Sequence, residues 1–406
     1  MDKRILIAYS FEERITYSFW KYFFQSCGVW VKAYKTGDKI PLNEKNYQYM
    51  YILNNDDIRE MKMISHNAVY VVKSNSSYKS FRKLDNICAF QWRKRQSYYE
   101  IVDKLFGENS VFRELLSIYI DRSLWLNAWL YHEIPYDEKD TWREQIQIEC
   151  AKALSQLELL DNKYASQKQN RFYIEYMKLY CNFLIAGANK TNITEMKDAN
   201  IGLLSEITLL AKSYEWTLSL LILAAQVSDL SALTSVHIIE YLRKACEMEK
   251  SAGLLYDIGR IYERLYGKQD VAYIYYEASV TQDRFYYRTI YKLALRMEDQ
   301  QEWFQAIICY RNIINILPDI MDGNYASISE IEYLYKANRH LAGIFREQLN
   351  NSEIAGSYEQ NIHSLQKHIK QEGFKKLEHC MHMASNTENM QGIFERIVEI
   401  LDARLK

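Results

Sequence analysis

An alanine–tyrosine pair recurs after 34 residues: Ala272 and Tyr276 return as Ala306 and Tyr310. A period of that length holds one helix–turn–helix unit. Such a unit cannot bury its apolar face alone and must stack on its neighbours. The second copy, YYRTIYKLALRMEDQQEWFQAIICYRNIINILP, adds Ala294 where its first helix needs a small residue and Pro318 where the unit closes. The first copy, SAGLLYDIGRIYERLYGKQDVAYIYYEASV, has Gly259 at the close-packing site, one residue out of phase. Small residues at these points let two helices approach, and the aromatic fills a groove of the neighbouring pair. The alternative reading is two ordinary amphipathic hairpins.

The small and aromatic positions and the closing proline resemble the tetratricopeptide repeat. That resemblance implies a stacked helical surface that binds a protein or peptide. Only 3 prolines and 13 glycines punctuate the 406 residues, which suits long helices with short connections. From Ser110 onward apolar residues fall three and four apart, as in SVFRELLSIYIDRSLWLNAWLYHEI and RFYIEYMKLYCNFLIAG. The polar stretch ANKTNITEMKDAN (188–200) reads as a loop, and 328–350 reads as a longer helix capping the stack.

The first hundred residues follow another period. RILIAYS (4–10), VWVKAY (29–34), YQYMYILN (47–54), NAVYVVKS (67–74) and NICAFQW (86–92) are short apolar runs. Helical patterns over 11–26, 56–65, 77–84 and 96–106 separate them. This predicts a five-stranded parallel α/β sheet covered by helices. The expected organisation is an α/β domain over 1–107, a helical connector over 108–200, and helical repeats with a C-terminal cap over 201–406. Residues 1–107 carry 18 Lys/Arg against 11 Asp/Glu, and the remainder 33 against 41. The basic and acidic parts either dock on each other or leave the first free for an anionic ligand.

Several chemistries are disfavoured. The first strand ends Tyr9-Ser10 with Glu12 and Glu13 entering the helix, which lacks the paired acids of a receiver domain. SFEERIT has no glycine to cradle a flavin phosphate. No GxSxG, HExxH or GxxxxGK[ST] motif occurs. His363, His368, His379, Cys380 and His382 cluster near the C-terminus without acidic or CxxC partners at ligand spacing, so no metal and no cofactor is expected. Seven single cysteines, an odd number mostly inside apolar patterns, read as reduced thiols of a cytoplasmic protein. No run of about 18 apolar residues is present, so no membrane partner is expected. The start of the chain does not read as a signal peptide.

The N-terminal runs resemble the Toll/interleukin receptor (TIR) domain. RILIAYS followed by acids looks like its first box, GVWVKAYKTGDKIPLN like its second strand and loop, and ISHNAVYVVKSNSSYKSFRKLD like the stretch leading to its catalytic glutamate. The resemblance covers residues 4 to about 106. It puts Phe81 at the aromatic position and Asp85 at the glutamate position. YQYMYILN departs from the pattern, standing where the family has a helix; if it is the third strand, Glu60 becomes the acid instead. In enzymatic members that carboxylate stabilises positive charge on the ribose as nicotinamide leaves NAD. Aspartate is one methylene shorter, and a misplacement of about 1 Å can cost on the order of 100-fold. Tyr9, Ser10, Phe81, Arg82, Arg93 and Arg95 form the accompanying candidate ligand-binding set. The basic, aromatic run around Arg82, Lys83, Arg93, Lys94 and Arg95 reads chiefly as a solvated edge, so nucleic acid is not the expected partner. The leading expectation is a signalling or scaffold protein whose α/β module assembles or acts as effector. The alternative is an NAD-consuming enzyme, with NAD as substrate, controlled by the repeats.

Overall fold

The computed structural model describes residues 3–35, 47–54, 68–73, 87–108, 110–134, 138, 141–188, 193–231, 235–317 and 326–406. Five strands form one parallel sheet: β1 (Arg4–Tyr9), β2 (Trp30–Lys35), β3 (Tyr47–Leu53), β4 (Ala68–Lys73) and β5 (Ile87–Phe90). Their order is β2-β1-β3-β4-β5. Ile5 of β1 lies between Val31 of β2 and Gln48 of β3, and Tyr51 of β3 lies opposite Tyr70 of β4. The run YQYMYIL is therefore the third strand of the sheet, directly beside β1.

Alternation explains why a tyrosine-rich run suits that place. Tyr47, Tyr49 and Tyr51 share one face with Leu6, Ala8, Tyr70 and Val72, while Met50 and Ile52 are buried on the other. The Tyr51 and Tyr70 rings stack at 5.1 Å, and burial pushes the Tyr51 phenol up to about 12. Helix α1 (Arg14–Ser26) carries Phe19, Trp20, Phe23 and Phe24, all fully buried. Phe19 is the hub of an aromatic cluster. Its ring meets Trp20, Trp92, Tyr98, Tyr119 and Trp125 edge-on at 5.2–5.7 Å. Tyr98 belongs to α2 (Arg95–Phe106), Tyr119 to α3 (Val111–Asp121) and Trp125 to α4 (Leu124–Glu133). Each such ring contributes roughly 1.5–3 kcal/mol through its buried area. Gly28 ends the turn after α1 at φ +78, and a Cβ there would stand 2.7 Å from the Tyr176 ring, so only glycine fits without displacement.

Helices account for the rest of the described chain: α5 (Arg143–Lys163), α6 (Lys168–Ala188), α7 (Ile193–Tyr214), α8 (Leu218–Ser231), α9 (Ser235–Met248), α10 (Ala252–Tyr266), α11 (Gln269–Gln282), α12 (Tyr287–Asp299), α13 (Trp303–Ile316), α14 (Ile328–Gly343), α15 (Ser352–Gln371), α16 (Lys375–Met383) and α17 (Met390–Arg404). The fold is thus an N-terminal five-stranded parallel α/β sheet followed by a helical region. Two local expectations change. The loop expected over 188–200 is helical from Ile193, because polarity without glycine or proline does not stop a helix. The long helix expected over 328–350 gives way after Gly343 to a π-turn, Ile344–Gln348, with Asn350 at φ 48.

Two compact units emerge from contact density: Met1–Leu223 with Glu378–Glu388, and Ala224–Leu377 with Asn389–Lys406. In the first unit the segment 378–388 packs on the α3–α4 junction. The Asn386 N–H and the Thr387 hydroxyl both donate to Ser123 Oγ, at 3.1 and 3.0 Å. In the second unit α10 pairs with α11, α12 with α13 and α14 with α15. All seven cysteines are free thiols. Burial pushes Cys88 up to about 12 and Cys246 up to about 11, the marks of structural rather than reactive thiols. Among the described residues no helix is long and apolar enough to cross a membrane.

Candidate functional site

In an open parallel sheet, ligands sit beyond the carboxyl ends of the strands where the connections diverge, here between β1 and β3. At that point the chain leaves β1 through Ser10, which is fully buried and donates its N–H to Ile52 O at 2.8 Å. Ser10 Oγ accepts the backbone N–H of Asn54 at 2.9 Å, joining the ends of the two strands. Asn54 Nδ2 then donates to Glu12 Oε2 at 2.9 Å. Glu13, 4% exposed, accepts the Thr16 hydroxyl at 2.8 Å. The Tyr9 ring stacks on Tyr17 with centroids 4.2 Å apart and planes 7° apart. Of these groups Glu12 is exposed and Tyr9, Tyr17 and Asn54 are half-buried, so a ligand in the crevice at this strand end would meet one carboxylate, an amide and a pair of phenol rings, while the buried Ser10 and Glu13 hold the turn together.

Of the residues singled out in the sequence, Tyr9 and Ser10 lie at this crevice. Arg93 and Arg95 follow β5, three strand positions from β1, or about 14 Å at ordinary strand spacing. There Arg95 Nη1 pairs with Asp121 at 2.6 Å, and Arg93 Nε lies 3.1 Å from Met383 Sδ. Glu60, Phe81, Arg82 and Asp85 lie outside the described residues. Asn54 belongs to no motif of the sequence. The signal for it is its place directly after the apolar run of the third strand, once that strand is set beside β1.

The repeat residues are positioned by helix crossings. Ala272, Ala294 and Ala306 are buried at the contacts within α10–α11 and α12–α13, and Pro318 lies outside the described residues. A Cβ on Gly259 would fall 2.6 Å from Tyr276 Cε1 and 3.0 Å from Ala272 O. Each tyrosine serves a second purpose. Tyr276 donates to Glu263 Oε2 at 2.6 Å, and Tyr310 donates to Glu298 Oε2 at 3.0 Å. Each glutamate is also met by a residue of the next helix pair, Lys292 Nζ at 2.8 Å from Glu263 and His340 Nδ1 at 2.8 Å from Glu298. Burial, first of all, and the adjacent carboxylates push both phenols far above their ordinary value, so they remain donors. One tyrosine–glutamate device thus recurs in both copies and ties successive pairs together.

Further tyrosines, buried or half-buried, pack between the helices of this unit. The Tyr256, Tyr286, Tyr287, Tyr333 and Tyr291 rings follow one another at centroid distances of 5.1–6.4 Å. At one end, Tyr291, Trp303, Lys336, Arg339 and His340 face a cavity of about 600 Å³. Among the described residues no group of three or more His, Cys, Asp or Glu is placed to hold a metal. The chain matches no family model, and no curated protein matches it.

Proposed function

We propose that this chain is a signalling or scaffold protein in which a tetratricopeptide-like helical stack binds a protein or peptide, and a TIR-like α/β module assembles or acts as effector. The observation that carries the reading is the recurrence of the packing device. Gly259, Ala272 and Tyr276 with Glu263 in one pair answer to Ala294, Ala306 and Tyr310 with Glu298 in the next. A stack tied in this way holds a row of half-buried tyrosines in place, and the rings that reach the surface supply contact area at low entropic cost. The cavity bounded by Tyr291, Trp303, Lys336 and Arg339 is the place for an anchoring side chain. The test is selection of a displayed random-peptide library on the full chain, repeated on Tyr291→Ala and Lys336→Glu. Sequences enriched on the parent and lost on both variants support the reading. Enrichment indifferent to both changes refutes it.

A second reading, an NAD-consuming effector, is favoured by one observation: Tyr9, Ser10, Glu12 and Asn54 converge at the sheet's switch point. Incubating the purified chain with NAD, with and without a crowding agent, separates the two. Nicotinamide release lost on substitution of Asp85, Glu60 or Glu12 by alanine establishes the enzyme. Its absence under both conditions leaves the assembly reading.

A further inference from the structure

A second cavity of the helical unit, about 530 Å³, opens between α9, the end of α10 and the turn that follows it, and none of the repeat-packing residues lines it. Tyr262 and Tyr266 line it, with Tyr275 packed behind Tyr262. Tyr262 stacks on Tyr275 at 5.5 Å with planes 16° apart, and Tyr266 lies 5.6 Å from Tyr262. Arg243 holds this group together, its Nη2 donating to Tyr262 Oη at 2.8 Å and to Tyr275 Oη at 3.4 Å. Two consequences follow from that geometry. The phenol oxygens are occupied as acceptors, so their hydrogens are free to turn outward as donors. The guanidinium has phenols rather than a carboxylate as its partners, so its charge is not neutralised where it stands.

Lys268 adds a second cation at the rim, and neither it nor Arg243 forms an ion pair among the described residues. Lys244 is already engaged by Glu240 at 2.8 Å. Glu247 completes the wall as an exposed carboxylate. The lining therefore combines flat aromatic faces, a guanidinium with spare N–H groups, two lysines and two carboxylates, of which Lys244 and Glu240 are joined to each other and Lys268 and Glu247 are left for a ligand. Aromatic faces take a planar ring, and Arg and Lys together take a phosphate. A carboxylate beside them takes sugar hydroxyls.

We propose that this cavity binds a mononucleotide, with its base on the Tyr262–Tyr266 rings, its phosphate on Arg243 and Lys268, and its sugar hydroxyls on Glu247. A cavity of this size falls within the ordinary range for small-molecule sites. The site stands apart from the cavity at Tyr291 and Trp303 and does not depend on the peptide-binding reading. It makes the helical unit a receptor for a small signal.

The experiment is calorimetric titration of the full chain with AMP, and in parallel with adenosine and with inorganic phosphate. AMP is expected to bind at least about tenfold more tightly than either fragment, because ring and anion are held by different groups. Tyr266→Ala is expected to weaken AMP about tenfold with little change for phosphate. Lys268→Glu, at an exposed side chain with no ion pair, is expected to weaken AMP at least about tenfold without moving the thermal midpoint. Arg243→Ala also unties two tyrosines, so Lys268→Glu serves as the variant that keeps the fold. Absence of heat with AMP up to about 1 mM overturns the proposal. So does equal affinity for AMP and either fragment, or indifference of AMP binding to both Tyr266→Ala and Lys268→Glu.

Discussion

Replacing Gly259 by alanine tests the repeat packing at its tightest point. In an exposed helix interior the change stabilises by roughly 0.5–1 kcal/mol, because alanine loses less backbone entropy on folding. Here the new methyl meets the Tyr276 ring at 2.6 and 2.8 Å and the Ala272 carbonyl at 3.0 Å. The carbonyl belongs to helix backbone and cannot yield. The ring can move only by giving up its hydroxyl's 2.6 Å bond to Glu263, which is shared with Lys292 of the next pair. Overpacking of this kind costs about 1–3 kcal/mol, and weakening a bond to a charged acceptor adds to it. The net expectation is a destabilisation of about 1–2 kcal/mol. Gly356 provides the control: it lies inside α15, and a Cβ added there would meet nothing within 4 Å. Gly356→Ala should therefore stabilise by up to about 1 kcal/mol. Urea unfolding followed by far-UV circular dichroism reads both, with unchanged m-values as the condition for comparison. In a Tyr276→Leu background the Gly259→Ala penalty should shrink, because the obstructing ring is gone. If Gly259→Ala instead stabilises as much as Gly356→Ala, the close-crossing argument is wrong.

Three further expectations follow from the same packing and charge arguments. Ala306 is fully buried at the α12–α13 crossing, so Ala306→Leu should lower stability by about 1–3 kcal/mol, and an unchanged urea midpoint would count against the repeat. Gly267 and Gln301 occupy the left-handed region at φ 61 and φ 60 in the turns of the two copies; Gln301→Gly should therefore raise the thermal midpoint, by the equivalent of about 0.5–1 kcal/mol, and a lowered midpoint would refute the strain. Burial pushes the Asp161 carboxyl up, but hydrogen bonds from Arg171 at 2.8 Å and Lys178 at 3.2 Å outweigh it and hold the group below its ordinary 3.8. A depressed carboxyl contributes stability that is present above the unfolded-state value and lost as pH falls through the folded one. Stability should therefore drop below about pH 4 less steeply in Asp161→Asn than in the parent, and identical acid profiles would show that the bridge is not linked to folding.

Much of the architecture was legible because it is local. Each of the five apolar runs became a strand to within a residue or two at its ends, since burial on both faces of a parallel sheet demands continuous apolar stretches. The 34-residue interval was visible as a recurrence of residue types, and the one-residue phase difference at Gly259 has a local cause. Glu263 to Tyr276 spans 13 residues and Glu298 to Tyr310 spans 12, because the first helix of the earlier copy runs three residues past its glutamate and that of the later copy only one. The candidate crevice was half legible: Tyr9 and Ser10 stand out as the end of the first strand.

What the chain could not disclose by pattern is which distant groups meet. Asn54 joins Ser10 across 44 residues only because β3 inserts beside β1, and strand order depends on how the crossovers pack, which no local period records. Arg95 read as part of a basic patch, yet it pairs with Asp121, a partner supplied by the helix that follows. Nothing in the sequence sets Glu263 and Glu298 apart from the other carboxylates of these helices. Stacking put a phenol on one side of each and a residue of the next helix pair on the other, converting two solvated carboxylates into ties between repeats. Sequence alone thus determined most of where the described backbone is helical or extended, the helix from Ile193 and the break after Gly343 excepted, and which positions are small enough for helices to touch. The tertiary structure decided which charges and hydroxyls become partners, because such pairing depends on distances between elements that only packing sets.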